Sequence, residues 1–295
     1  MPLIKSILCP IDFSESSVNA YEYAQSLAVH YNAKLDLQHV LYSSKAFEFW
    51  DIYPDSYEED CRQLRAVAER KLREFAKFHA LAEIPLQYFV QDGSTADLIL
   101  SLAETQAANL IVMGTHGLRG IDRLMLGSKI ERVLRKAHCP VLAVRKPAHH
   151  IASSVRDLEQ VHLKKVLLCT DFSDHAHRAS EYALSIAEAY GAELTLLHVL
   201  EEFPGAGNLQ TATEKVKKEL DESISAKACG SCTVKVVVRV GKPYQQIIQV
   251  AIEAQTDMVI MGVRGRGALD AALFGSATHR VIQLGPCPVL TIPFE

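Results

Sequence analysis

The chain has 295 residues, of which 48% are apolar and 22% are charged, and its formal net charge is −4. This length is enough for two domains of ordinary size. The acidic balance gives no support for a nucleic-acid surface, which normally carries a basic excess. No apolar run reaches the ~18–20 residues that a membrane helix needs.

The start of the chain and its cysteine content predict a location. Residues 1–6 lead directly into a strand-like pattern and are not typical of a signal peptide. Seven cysteines are an odd number without a secretory context, which favours reduced thiols. We therefore expect a cytoplasmic protein with no membrane partner and no nucleic-acid partner.

The sequence contains an internal duplication. Two segments recur 159 residues later: Asp12-Phe13-Ser14 as Asp171-Phe172-Ser173, and His39-Val40-Leu41 as His198-Val199-Leu200. Three glycines recur 148 residues later: Gly93 as Gly241, Gly114 as Gly262, and Gly127 as Gly275. A repeat of this length predicts two copies of one domain, at residues 1–146 and 164–295, joined by an exposed connector at residues 147–163.

Each half is predicted to alternate strands and helices. In the first half the predicted strands lie at residues 3–11, 34–40, 86–91, 109–113 and 141–144, and helices follow Ser14 and lie near 60–80, 95–106 and 128–137. Ser14 is a plausible N-cap, and Asn32 and its counterpart Gly191 suit left-handed C-caps. Strands joined by helices imply an α/β fold, here two doubly wound five-stranded parallel sheets.

A glycine-rich segment follows the fourth strand of each half. The first copy is Met113-Gly114-Thr115-His116-Gly117, nine residues, then Gly127-Ser128; the second is Met261-Gly262-Val263-Arg264-Gly265, nine residues, then Gly275-Ser276. A strand, a glycine loop and a helix N-terminus together favour an anion site. The pattern is not a Walker A motif, and Asp270 breaks the Rossmann fingerprint. Turn geometry without a ligand is the alternative.

An aspartate ends the first strand of each half, Asp12 and Asp171. In a sheet of order 3-2-1-4-5, strands one and four flank the point where the strand order reverses and ligands bind. This places Asp12 opposite Gly114, and Asp171 opposite Gly262. Such a carboxylate can accept hydrogen bonds from an exocyclic amine or a ribose hydroxyl. The alternative is that each aspartate only caps the following helix.

With these motifs in place, both halves resemble the universal stress protein family. Its nucleotide-binding members carry G-2x-G-9x-G-[ST] after the fourth strand, together with the strand-one aspartate and a C-P-V-L final strand. The final strand is Cys139-Pro140-Val141-Leu142 in one half and Cys287-Pro288-Val289-Leu290 in the other. The resemblance covers essentially the whole chain except the connector, and it is to a tandem-type member.

The resemblance implies an adenine nucleotide held by the aspartate, the backbone near strand two, the glycine loop and the serine hydroxyl. In the first half this gives Asp12, Val40, Met113, Gly114, Gly117, Gly127, Ser128 and the adjoining Lys129. In the second it gives Asp171, Val199, Met261, Gly262, Arg264, Gly265, Gly275, Ser276 and Ala277. The sequence departs from the family pattern at Lys129, which either neutralises a phosphate or crowds the pocket. His116 and Arg264 share one loop position, and each contacts phosphate or is a solvated side chain.

Other residues invite a functional interpretation as well. His39 and His198 end strand two and are expected to be satisfied near-core histidines. Cys229 and Cys232 form a CxxC that is a loop with two thiols, a reversible disulfide or half a zinc site. Aromatic residues fill the extra segment of the first half and either pack against the neighbouring half or fold over a ligand: Phe47, Phe49, Trp50, Tyr53 and Tyr57.

Three functions remain open on the sequence. The first is a stress-response module that binds ATP, or ADP or AMP, with Mg²⁺, and whose occupancy changes contacts to an unknown protein partner. The second is a slow ATPase or self-phosphorylating enzyme, which would need a positioned base and charge stabilisation beyond the aspartate and serine near the loop. The third is a structural dimerisation protein with non-functional pockets. The resemblance also implies that the two final strands meet as an intramolecular pseudo-dimer, and further homodimerisation stays open.

Overall fold

The computed structural model describes residues 4–41, 54–80, 83–117, 126–145, 163–201, 209–225, 232–263 and 275–293. The first half contains strands β1 (Ser6–Pro10), β2 (Lys34–Leu41), β3 (Leu86–Asp92), β4 (Leu110–Gly114) and β5 (Val141–Val144), and helices α1 (Glu15–Tyr31), α2 (Pro54–Phe78), α3 (Thr95–Thr105) and α4 (Ser128–Lys136). The second half contains strands β6 (Lys165–Cys169), β7 (Glu193–Leu200), β8 (Val234–Val240), β9 (Met258–Gly262) and β10 (Val289–Ile292), and helices α5 (Asp174–Tyr190), α6 (Leu209–Ser225), α7 (Pro243–Glu253) and α8 (Ser276–Leu284).

The strands of the two halves form one continuous sheet. Its order is β3-β2-β1-β4-β5-β10-β9-β6-β7-β8, so each half has the predicted order 3-2-1-4-5. Pairing within each half is parallel, whereas β5 and β10 pair antiparallel, with Leu142 opposite Leu290 and Val141 opposite Thr291. The predicted α/β class is confirmed. The observed fold differs from the prediction in one detail: the two five-stranded sheets join into one ten-stranded sheet.

The first helix of each half is capped at both ends, as the sequence predicts. Ser14 accepts a hydrogen bond from the backbone N–H of Ser17, and Ser173 accepts one from Ala176. Asn32 and Gly191 end the helices with φ of 49° and 60°, the left-handed conformation that asparagine and glycine adopt at low cost. The two serine N-caps fix where α1 and α5 begin, a short turn after β1 and β6.

The core consists of two apolar layers, one on each face of the sheet. One layer contains buried residues of α1, α2, α5 and α6, and the other contains residues of α3, α4, α7 and α8. Successive strand residues alternate between them, so that Ile7 belongs to the first layer and Leu8 to the second. Both layers include residues of both halves. Among the described residues, no helix is both long and apolar enough to cross a bilayer.

Among the described residues of the first half, one acidic side chain is fully buried. Asp36 on β2 is 0% exposed, and its Oδ2 atom lies 3.2 Å from Nζ of Lys34. Burial raises the pKa of the Asp36 carboxyl, and the neighbouring Lys34 opposes this shift. Thr195 holds the matching position in the second half and is also buried, so the fold accepts a neutral side chain there.

We expect the substitution Asp36→Thr to raise the free energy of unfolding at pH 7 by about 1–3 kcal/mol, because it removes a buried charge. The folded-state pKa lies above the unfolded value of about 3.9, so folding takes up a proton as the pH falls. The wild type therefore gains stability relative to the variant between pH 7 and pH 4. Urea unfolding at both pH values measures this, and a difference that grows towards pH 4 would contradict it.

Candidate functional site

The candidate site lies where the strand order reverses in each half. Strand β1 pairs with β2 on one side and with β4 on the other, and β6 pairs likewise with β7 and β9. All of these pairs are parallel, so the segments that follow β1 and β4 leave the sheet at the same edge. The structure thus places Asp12 and the glycine loop on one side of the sheet, as the predicted strand order requires.

Asp12 is linked to the start of α1. Its Oδ1 atom accepts hydrogen bonds from the Ser14 backbone N–H at 3.0 Å and from the Ser14 hydroxyl at 2.5 Å. The helix N-cap is therefore Ser14 rather than Asp12, and the aspartate holds the capping serine in place. Asp12 therefore supports the cap of α1 through Ser14 and does not itself cap the helix. Its Oδ1 atom makes both of these hydrogen bonds.

The other oxygen of Asp12 faces the glycine loop. A Cβ atom added to Gly117 would lie 2.6 Å from Asp12 Oδ2, so any side chain there would displace the Asp12 carboxylate from its position. The loop also contacts the helix cap, since the Ser14 hydroxyl lies 3.4 Å from the His116 carbonyl oxygen. The structure therefore brings together Asp12 and Gly117, two residues that the sequence places 105 positions apart.

Gly114 and Gly127 allow two backbone segments to lie close together. A Cβ atom on Gly114 would lie 2.8 Å from the backbone of Ser16, at the first turn of α1. The Gly127 N–H donates to the Thr115 carbonyl at 3.1 Å, and a Cβ atom there would lie 2.9 Å from that same oxygen. The spacing of nine residues thus returns the chain to the end of β4. A side chain at either position would clash with nearby backbone, so the fold favours glycine at both positions whether or not a ligand binds.

Helix α4 begins immediately after this closing hydrogen bond. Gly127 is its N-cap and provides no side-chain hydrogen bond, and Ser128 and Lys129 follow as exposed residues of the first turn. The first N–H groups of a helix have no partner within the helix, and the helix dipole favours an anion there. The first turn of α4 therefore offers backbone donors and a hydroxyl next to the loop residue Thr115, to which Gly127 is bonded.

The second half repeats this geometry where it is described. Asp171 Oδ1 accepts from the Ser173 N–H at 3.1 Å and from its hydroxyl at 2.6 Å. The Gly275 N–H donates to the Val263 carbonyl at 3.1 Å, and Gly275 caps α8 without a side-chain hydrogen bond. Ser276 is exposed at the first position of α8, and Ala277 is half-buried behind it. Arg264 and Gly265 lie outside the described residues.

The end of strand two forms the other side of the site. Val40 and Val199 are half-buried there. Nδ1 of His39 lies 2.7 Å from the Ile11 carbonyl oxygen, and His198 makes the same contact with Thr170 at 2.8 Å. Both histidines are thus satisfied by the backbone, as expected. Met113 and Met261 bury their side chains in the core, so only their backbone can face a ligand.

One feature of the site was missed from the sequence. Phe13 and Phe172 have φ of 63° and 60°, and each ring packs on the histidine of strand two, with centroids 4.7 and 4.8 Å apart. In the first half, Nζ of Lys71 also lies 4.1 Å from the Phe13 ring centroid. The duplication of Asp-Phe-Ser was the available signal. A bulky residue in the left-handed region is uncommon, and nothing in the sequence pattern announces it.

The capping serines allow a test of this local arrangement. We expect Ser14→Ala and Ser173→Ala each to lower the free energy of unfolding by about 1 kcal/mol, since each removes an N-cap acceptor. Ser94→Ala is the control, because the exposed Ser94 hydroxyl donates to the Asp97 carboxylate and accepts no hydrogen bond from a backbone N–H of α3. Thermal unfolding measures all three variants. Equal effects at Ser94 and Ser14 would contradict the assignment.

The structure describes one of the two cysteines of the CxxC segment. Cys229 of the CxxC lies outside the described residues, and Cys232 is half-buried with its pKa raised by burial. Burial also raises the pKa of Cys139 and Cys287 to about 12. Within the described part of the chain, no group of three or more His, Cys, Asp or Glu side chains is arranged to hold a metal ion. The aromatic segment at residues 47–53 is outside the described residues, and so is the side chain of Tyr57.

The fold and the site together define a class of protein: a tandem pair of doubly wound α/β domains with a glycine loop and an aspartate at each switch point. The model of the universal stress protein family matches residues 3–145 and 162–293. The chain belongs to the universal stress protein family.

Individual relatives agree with this assignment. A universal stress protein of Mycolicibacterium smegmatis is 26% identical over 97% of this chain and 96% of its own length. A universal stress protein of Thermus aquaticus is 35% identical over 44% of this chain and 98% of its own length. The crystal structure of a universal stress protein from Archaeoglobus fulgidus has the same fold, with a TM-score of 0.66, 24% identity, and coverage of 98% of this chain and 96% of that one.

Proposed function

We propose that the protein binds an adenine nucleotide at the switch point of one or both halves, and that occupancy acts as a sensing or regulatory signal in a stress response. The observation that carries the proposal is the position of the Asp12 carboxylate against Gly117 of the glycine loop, with α4 beginning at Ser128, directly after Gly127 donates back to Thr115 of the same loop. In the second half, Asp171 accepts the same two hydrogen bonds from Ser173 that Asp12 accepts from Ser14.

Each group has a role in this proposal. The N–H groups at the start of α4 and α8 receive the phosphates, and the exposed hydroxyls of Ser128 and Ser276 add a donor. The aspartates accept from the base or the ribose. The half-buried valines at the end of strand two, Val40 and Val199, present an apolar surface for the base.

Lys129 differs between the halves, because Ala277 holds the matching position. Lys129 is exposed beside the proposed phosphate position, so we propose that it neutralises phosphate charge rather than crowding the pocket. Mg²⁺, supplied with the nucleotide, would be held chiefly by the phosphates and would offset their charge.

We propose binding rather than turnover as the function. One oxygen of each aspartate already accepts two hydrogen bonds from the capping serine. Such a carboxylate is held in place as an acceptor, which suits recognition more than proton abstraction.

Direct measurement tests the proposal. Nucleotide extracted from the purified protein is identified by chromatography, and ATP, ADP and AMP are titrated calorimetrically into nucleotide-free protein. Binding with micromolar to submillimolar affinity and a stoichiometry of one or two per chain is expected. No heat and no protection by any of the three at millimolar concentration would overturn the proposal.

A further inference from the structure

The first half has a lysine at the edge of its candidate site, on the helix that follows strand two. Lys71 of α2 is exposed, and its Nζ atom lies 4.1 Å from the centroid of the Phe13 ring. Phe13 directly follows Asp12, whose Oδ2 atom faces Gly117 of the glycine loop. A cationic side chain therefore lies next to the Asp12 end of the site.

The second half has an acidic residue at the matching position. The offset of 148 residues pairs Lys71 with Glu219. The leucines that follow them, Leu72 and Leu220, are 0% and 1% exposed and belong to the same apolar layer. These buried leucines set the same helix register in both halves, so Glu219 holds on α6 the place that Lys71 holds on α2. Glu219 is also exposed, and the charge at this position is reversed.

A second charge difference lies at the proposed phosphate end of the site. Lys129 is the second residue of α4, two positions after Gly127, whose N–H donates to the Thr115 carbonyl of the loop at 3.1 Å. Ala277 is the second residue of α8 and follows a closing bond of the same length. Both differences have the same direction, because the first half is positive where the second half is neutral or negative.

The glycine loop contributes an opposing difference. Arg264 replaces His116 in the second half and lies outside the described residues. At the three matched positions, Lys71 and Lys129 give the first half a formal charge of +2 with His116 neutral. Glu219 and Arg264 cancel each other in the second half. The first half therefore stays the more positive by two charges.

Building on the proposed nucleotide binding, we propose that the first half selects the more highly charged adenine nucleotide, a triphosphate, and that the second half selects a monophosphate. The preference rests on the proposed function, because a site that binds no nucleotide has none to select. ATP without Mg²⁺ carries about two more negative charges than AMP, so it gains more from each added cation. For exposed charges about 9 Å apart in water at low ionic strength, this amounts to about tenfold in relative affinity.

Photolabelling of the full-length protein measures each half separately. The probes 8-azido-ATP and 8-azido-AMP are crosslinked in EDTA at low ionic strength, and mass spectrometry assigns the labelled peptides to residues 1–146 or 164–295. Displacement by unlabelled ATP and AMP then gives both affinities in each half. We expect the ratio of ATP affinity to AMP affinity to be about tenfold higher in the first half. Added Mg²⁺ or salt should narrow this difference, because both offset the phosphate charge.

Charge substitutions test which residues cause the preference. Lys71→Glu with Lys129→Ala copies the second half, and it should lower the affinity ratio of the first half by about tenfold or more. Lys77→Glu with Lys136→Ala is the matched control, with the same charge changes roughly 9–10 Å further along the same two helices. Both helices run away from the site, because each leads from the carboxyl end of one strand to the start of the next parallel strand. The control should change the ratio by less than about threefold.

The reciprocal variant, Glu219→Lys with Ala277→Lys, should raise the affinity ratio of the second half about tenfold. All substituted lysines and Glu219 are exposed, so the variants should fold, which circular dichroism checks. Equal ratios in the two halves of the wild type would overturn the inference and leave the proposed function intact. So would equal effects of the site variant and its control, or displaceable labelling in one half alone. Labelling that millimolar ATP and AMP displace from neither half would overturn the proposed function itself.

Discussion

The substitution Ser128→Asp is expected to weaken ATP binding in the first half about a hundredfold without lowering the stability of the protein. Ser128 is the first residue of α4 and is exposed, so an aspartate there has room. A carboxylate beside the phosphates places like charges together, at a cost of several kcal/mol. The same carboxylate is favourable at a helix N-terminus by about 0.3–1 kcal/mol. Binding and stability should therefore change in opposite directions.

The matched control is Ser128→Asn, which has nearly the same size as aspartate and no charge. It should change ATP affinity by no more than about threefold, because the asparagine amide can donate to a phosphate in place of the serine hydroxyl. Calorimetric titration compares the two variants. If they weaken binding equally, charge at this position is not the cause. If neither does, the phosphates do not lie at the start of α4.

The corresponding pair at Ser276 assigns the functional half. If both sites bind, Ser128→Asp lowers the stoichiometry at moderate ATP concentration from two to one, and Ser276→Asp does the same. If one half binds, only one aspartate variant has an effect. These substitutions are sharper than enlarging Gly127 or Gly275. In the first half, a Cβ at Gly127 would meet the Thr115 carbonyl and disturb the loop without any ligand.

Much of the fold follows from local sequence features. Short apolar runs predicted the strands, and Asn32 and Gly191 predicted the left-handed ends of α1 and α5 because their preferences depend on the residue alone. The internal duplication predicted that the two halves share one fold. The α2 helix begins earlier than expected, at Pro54 rather than near residue 60, since its first turn lacks the apolar periodicity that was used to place it.

The contacts of the site were less predictable, because they join residues far apart in the sequence. Placing Asp12 near the loop required a strand order, which the structure confirms. Ser14 donates to one oxygen of Asp12, and Gly117 lies against the other. These contacts depend on backbone positions that no sequence pattern encodes. The residue roles inferred from the family resemblance remain predictions. Arg264 and Gly265 are among them and lie outside the described residues.

The junction between β5 and β10 gives the largest expected effect on stability. Leu142 and Leu290 lie opposite each other, are 0% and 3% exposed, and belong to the same apolar layer. We expect Leu142→Ala to lower the free energy of unfolding by about 2–5 kcal/mol, since the fully buried side chain leaves a cavity. Leu64→Ala is the matched control: Leu64 is 60% exposed, so its loss should cost less than about 0.5 kcal/mol. Urea unfolding measures both.

The same variant shows whether the halves are one cooperative unit. The layer around Leu142 includes residues of both halves, and the Thr291 hydroxyl donates across the junction to the Val141 carbonyl at 3.1 Å. Removing the Leu142 side chain should therefore speed hydrogen exchange in β9 and β10 as well as in β4 and β5, because opening either half disrupts the shared layer. Faster exchange confined to β4 and β5 would show that each half folds independently and that the ten-stranded sheet only joins two separately stable domains.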